Sequence, residues 1–97
     1  MKADYRLYES DVLRVGRTDK PWTKATLTPL DIYGIGFEVR EGDEILGYEL
    51  VGFKRYLFPQ GSLQLPFAVP DVRFELPEKA GQSLTLPEVL TWIYARS

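Results

Sequence analysis

The chain contains no cysteine and no histidine. Without cysteine there is no disulfide to staple the fold, no thiol nucleophile, and no iron–sulfur or structural zinc site of the usual kinds. Without histidine, the commonest general base and the commonest transition-metal ligand are both missing. Only hard oxygen ligands remain, and those suit magnesium or calcium, so no bound transition metal and no resident cofactor are expected. Long apolar runs are absent too, since nothing approaches the ~18 consecutive apolar residues of a membrane span. The opening residues, Met1-Lys2-Ala3-Asp4-Tyr5, bring in a carboxylate at once and give no sign of a secretory leader. A cytoplasmic location is the default expectation. The chain also lacks a surplus of positive charge, with 12 basic against 14 acidic residues and a net charge of −2. Duplex-binding domains draw most of their affinity from neutralising phosphates, so nucleic acid is an unlikely partner.

Apolar mass is plentiful: 44% of the 97 residues are hydrophobic and 13% aromatic. That is one domain with one core, and too little chain for two. Period-2 patterning dominates it. Leu63, Leu65, Phe67 and Val69 alternate with Gln64, Pro66 and Ala68. Val72, Phe74 and Leu76 alternate with Arg73 and Glu75, and Ile35, Phe37 and Val39 with Gly36, Glu38 and Arg40. Further strands are predicted over 4–8, 11–15, 24–30, 45–51 and 53–58. Pro66 has no N–H for a ladder, which places its strand at an edge or a bulge. Turn residues at Glu41-Gly42-Asp43, Pro59-Gln60-Gly61-Ser62 and Pro70-Asp71 separate these runs by short connections. The expected architecture is mainly β: a small antiparallel barrel or strongly bent sheet with one C-terminal α-helix. Its parts would be a β domain over 4–76, a loop over 77–84 and the helix over 85–96.

The helix has its own signature. Thr85-Leu86-Pro87-Glu88 has the form of a capping box, with proline in the first turn where its missing N–H costs nothing. Leu86, Val89, Leu90, Ile93 and Tyr94 then make one apolar stripe, flanked by Trp92.

Chemistry is sparse. The remaining acid/base groups are Asp43 with Glu44, Glu49, Asp71, Glu75, Glu78 and Glu88, and no spacing makes two of them converge. Ser10, Ser62, Ser83 and Ser97 have no histidine to activate them. The chain is therefore expected not to be an enzyme. Lys54-Arg55-Tyr56 with Trp22 mixes basic and aromatic residues as single-strand binders do. Strand alternation would split that patch between two faces. Tyr5, Tyr8, Trp22, Tyr33, Tyr48, Tyr56, Trp92 and Tyr94 are too many to bury in so small a core. Tyrosine and tryptophan carry interface hot spots, so a protein partner is expected.

One stretch stands apart, Thr26-Leu27-Thr28-Pro29-Leu30-Asp31-Ile32-Tyr33-Gly34-Ile35-Gly36-Phe37-Glu38-Val39. Read by its residues it is a hairpin whose Asp31 bonds turn N–H groups while Gly34 and Gly36 take special backbone shapes. Its Asp31-x-Tyr33-x-x-Gly36 spacing also resembles the Asp/Asn-x-Ser-x-x-Gly signature of PilZ domains, bacterial receptors for cyclic di-GMP. Tyr33 stands where that family has serine, and Arg14-Val15-Gly16-Arg17 is one residue shorter than its Arg-x-x-x-Arg motif. The resemblance implies a barrel followed by a helix, and a cyclic di-GMP site built from Arg14, Arg17, Asp31, Tyr33, Gly34 and Gly36. Guanidinium groups there would stack on guanine and fork onto phosphate. A small adaptor or inhibitor working through an aromatic surface is the alternative.

Overall fold

The computed structural model describes residues 1–97. Its main element is a five-stranded antiparallel sheet of β1 (Ala3–Leu7), β2 (Val12–Arg17), β3 (Thr26–Pro29), β4 (Gly36–Glu41) and β5 (Glu44–Val51). The strand order is β1-β2-β5-β4-β3. After β5 come α1 (Phe53–Leu57), β6 (Arg73–Phe74), β7 (Leu84–Thr85) and α2 (Leu86–Arg96). Strands β6 and β7 form a separate two-stranded sheet. The fold is mainly β, and the large sheet is bent without closing into a barrel. No helix is long and apolar enough to cross a membrane.

Alternation sorts the sheet into two faces. Leu13 and Val15 of β2 and Tyr48 and Leu50 of β5 are at most 1% exposed. They face α2, whose Leu86, Val89, Leu90 and Ile93 complete the core with Phe53, Leu57, Phe58, Phe74 and Leu76. Rings lock its rim: Phe58 stacks on Tyr94 at 4.0 Å, and Tyr5 meets Trp92 edge-on at 5.9 Å. The capping box forms as its spacing predicts. Glu88 N–H donates to Thr85 Oγ1 (3.3 Å), and Thr85 N–H donates to Glu88 Oε1 (2.9 Å).

Three predicted strands turn out otherwise. Residues 53–58 hold the five-residue helix α1, because a distant residue supplies its cap. The Asp11 carboxylate accepts from Lys54 N–H (2.9 Å) and Arg55 N–H (3.1 Å), while the Asp11 carbonyl accepts from Phe53 N–H (2.9 Å). Phe53 and Leu57, four apart, are the residues buried. Residues 63–69 run as irregular chain. Leu63, Leu65 and Phe67 are half-buried as their alternation requires, but Val69 is 54% exposed. Pro66 and Pro70 leave little to pair, and Gln64 N–H goes back to the Leu57 carbonyl (2.8 Å). Of 72–76 only Arg73–Phe74 is strand, paired with Leu84–Thr85. The carboxy-terminal helix is likewise joined by α1, where a single helix was expected.

Tyr48 shows how dry the core is. Burial, helped by the nearby Glu38 carboxylate, pushes its phenol up to about 12. An unfolded tyrosine ionises near pH ~10, so the stability Tyr48 contributes is intact below that and is lost as pH rises from about 10 to about 12. Absorbance titration of phenolate should show one tyrosine ionising near the top of this window, and Tyr48→Phe should remove that step.

Candidate functional site

Two places on the surface carry side chains held for something other than the core. The first is the turn between β3 and β4. Leu30 N–H donates to the Gly36 carbonyl at 2.8 Å, which closes the turn. Inside it the Asp31 carboxylate accepts three backbone bonds: Oδ1 from Tyr33 N–H (2.8 Å) and Ile35 N–H (3.2 Å), Oδ2 from Gly36 N–H (2.6 Å). Gly34 sits at φ 74°, where a side chain would be strained. Burial alone would push the Asp31 carboxyl up. The N–H groups of Gly36, Ile35, Tyr33 and Gly34 outweigh burial and hold it below the ordinary carboxylate range. The whole anion is thus engaged in fixing the turn. What the turn presents is Ile32 and Tyr33, 91% and 71% exposed.

The second place lies on the sheet face turned away from α2. Gly16 and Gly47 are cross-strand partners at its centre. A Cβ on Gly16 would come within 2.7 Å of the Trp22 ring, and one on Gly47 within 2.9 Å. The two glycines form a flat bed on which the indole lies, its Nε1–H donating to the Arg17 carbonyl at 3.2 Å. The loop carrying Trp22 is strapped to the β4–β5 turn by ion pairs. Arg17 meets Asp19 (2.8 Å) and Glu44 (3.2 Å), and Lys20 meets Glu41 (2.9 Å) and Glu44 (3.0 Å). Donating to the Asp19 carboxylate holds the Arg17 guanidinium above its ordinary range, and donating to Glu41 and Glu44 does the same for the Lys20 ammonium. Beside Trp22, Arg6 and Arg14 are direct cross-strand partners, and Arg14 Nε is paired with Glu49 at 2.7 Å. The Arg6 guanidinium lies 4.7 Å over the Tyr8 ring, and the Arg14 guanidinium 5.6 Å over Trp22. A shallow groove of about 230 Å³ runs among Asp4, Arg6, Arg14, Gly16, Arg17 and Trp22.

The six residues singled out in the sequence therefore fall into two groups. Asp31, Tyr33, Gly34 and Gly36 share the β3–β4 turn, whereas Arg14 and Arg17 line the groove. Strand register separates them. Gly36 pairs with Leu50 and Leu50 with Leu13, so the turn flanks the end of the sheet where β2 begins. Arg17 closes β2 at the other end. Arg14 pairs with Glu49 on the outer face, while the Asp31 carboxylate lies on the face of Gly36 and Phe67. Compared with family models, curated proteins and solved structures, the chain matches none.

Sequence reading missed Arg6 and Asp4 in the groove, and Ile32 at the tip. A signal for the first existed: Arg6 and Arg14 stand equally far from Ser10, the middle of the β1–β2 turn. The expected broad aromatic surface shrinks, because Tyr48 is buried and only Tyr33 and Tyr56 (48%) are widely exposed among the large aromatics.

Proposed function

We propose that this is a non-catalytic binding domain that docks a protein partner through the Ile32–Tyr33 tip. The observation that carries the reading is the pairing of exposure with rigidity. Two adjacent large apolar side chains stand in water on a turn that a carboxylate fixes with three hydrogen bonds. A free turn would hide such side chains or let them move. A preset one loses little conformational entropy when a partner covers it, which is how small contacts gain affinity. Tyrosine is also a favoured anchor at the centre of interfaces.

The neighbouring edge of β3 is a poorer contact. Leu30 N–H points at β4, so with period two the outward-facing backbone positions of β3 are Leu27 and Pro29. Pro29 offers no N–H, which weakens strand addition there. The cyclic di-GMP reading draws support from the Asp31-x-Tyr33-x-x-Gly36 spacing alone. Its arginines stand apart from that turn, and Asp31 has its acceptor oxygens engaged.

A photo-crosslinking residue in place of Tyr33, expressed in the host organism, tests the proposal. One discrete protein adduct is expected, strongly reduced when Ile32→Asp is added, with the thermal midpoint of the domain unchanged. The same probe at the exposed Gln60 should give none. A smear of adducts equal at both positions, or none from the tip, would overturn the reading.

A further inference from the structure

We infer that Phe67 clamps the Asp31 turn from the core side, and that this clamp sets how firmly the Ile32–Tyr33 tip is held for its partner. The inference rests on the docking reading above and names what controls that site. It starts from Gly36. Glycine is not needed there for its backbone, since within this turn only Gly34 sits at positive φ. It is needed for space. A Cβ at Gly36 would lie 2.7 Å and 2.9 Å from two carbons of the Phe67 ring and 3.2 Å from Asp31 Oδ2. No side chain fits at such distances, so the ring occupies the room that one would need. The Phe67 ring and the Asp31 carboxylate thus pack on one side of the same glycine. The N–H of that glycine gives the shortest of the three turn bonds, at 2.6 Å.

The ring covers the backbone of Gly36 and one side of the bonded carboxylate. A hydrogen bond is electrostatically stronger where apolar atoms replace water around it, so this cover tightens the turn. Phe67 is half-buried and is held through its side chain, which packs against the core. Its main chain is held far less. From 65 to 71 the only backbone hydrogen bond is local, the Pro70 carbonyl accepting from Val72 N–H at 2.9 Å. Pro66 and Pro70 have no N–H to give. A stretch fastened by side chains alone opens at lower cost than a strand in a ladder. The tip is therefore governed from outside its own hairpin. Whatever lifts residues 65–71 uncovers Gly36 and loosens the contact that the partner meets.

Amide exchange of the full chain, read by NMR, tests the clamp without any partner. Phe67→Ala should speed exchange at the Tyr33, Ile35 and Gly36 amides by about fivefold to tenfold, the factor that half of a phenylalanine's burial corresponds to. Phe67→Leu should restore most of that protection. A ring that served only the core would leave these amides unchanged and speed those of β2 and β5, which exchange through global unfolding. That pattern would overturn the inference. Gly36→Ala supplies a second route, because its methyl group pushes the ring aside while Asp31 and all three donors remain. It should speed the same amides, and adding it to Phe67→Ala should change them little further, since the space is then open. Additive effects would mean that ring and glycine act separately, which contradicts a clamp closed on Gly36. Adduct yield from a crosslinker at position 33 then separates the clamp from the docking reading. Faster turn exchange with a fall in yield supports both. Faster turn exchange with undiminished yield keeps the clamp and overturns its role in docking.

Discussion

Ending the chain at Gly81 should abolish folding. The missing segment carries Leu86, Val89, Leu90 and Ile93, each at most 1% exposed in the intact protein. Burying such a side chain is worth ~1.5–3 kcal/mol before ordering entropy is subtracted. A domain of this size is stable by about 5–15 kcal/mol, so four of them decide the outcome. The loss goes further than α2. Leu13, Val15, Tyr48 and Leu50 would lie open on the sheet, Tyr94 would leave Phe58, and Trp92 would leave Tyr5. An aggregated or unfolded product by circular dichroism is expected. A cooperative melt near the full-length midpoint would show that α2 is an appendage.

Asp31→Ala should act locally and strongly. It removes the one acceptor that holds Tyr33, Ile35 and Gly36 N–H at 2.6–3.2 Å. Hydrogen bonds to a charged group are worth ~1.5–3 kcal/mol, and the three share one carboxylate and partial access to water. A total loss of about 2–3 kcal/mol in stability is expected. Amide exchange at those three positions should accelerate far more than in the core. The wild-type protein should also lose this contribution in acid. Its folded carboxyl sits below the unfolded value of ~3.9, so the stabilisation is present above that pH and fades as pH falls through the folded value. Subtracting the Asp31→Ala acid-denaturation curve from that of the parent isolates the effect.

How much of this was legible in the sequence depended on whether the cause was local. The capping box and stripe of α2 lie within twelve residues of one another, and the helix appears where they put it. The Asp31 hairpin was equally readable, because its donors are within five residues of the carboxylate. Helix α1 was not, since its cap, Asp11, lies 43 and 44 residues away from the amides it holds. The alternation in 63–69 marked Leu63, Leu65 and Phe67 correctly as turning inward and Val69 wrongly, and inward alternation does not by itself supply a partner strand. The Arg6–Arg14 pair was within reach of the β1–β2 hairpin's symmetry, whereas the Trp22 bed needed the register of β2 against β5, which no single run of residues contains.

In the proposed function, Asp31 presets the Ile32–Tyr33 tip as the docking contact. The direct measurement is partner adduct yield from a crosslinker at position 33, in the otherwise native chain and in Asp31→Ala, below the melting range of both. Ile32 is present in each, so only the order of the turn differs. A sharp fall in yield for Asp31→Ala, with core amide protection retained, is the result expected. Undiminished yield in that variant would contradict the claim that the carboxylate-fixed turn is what the partner recognises.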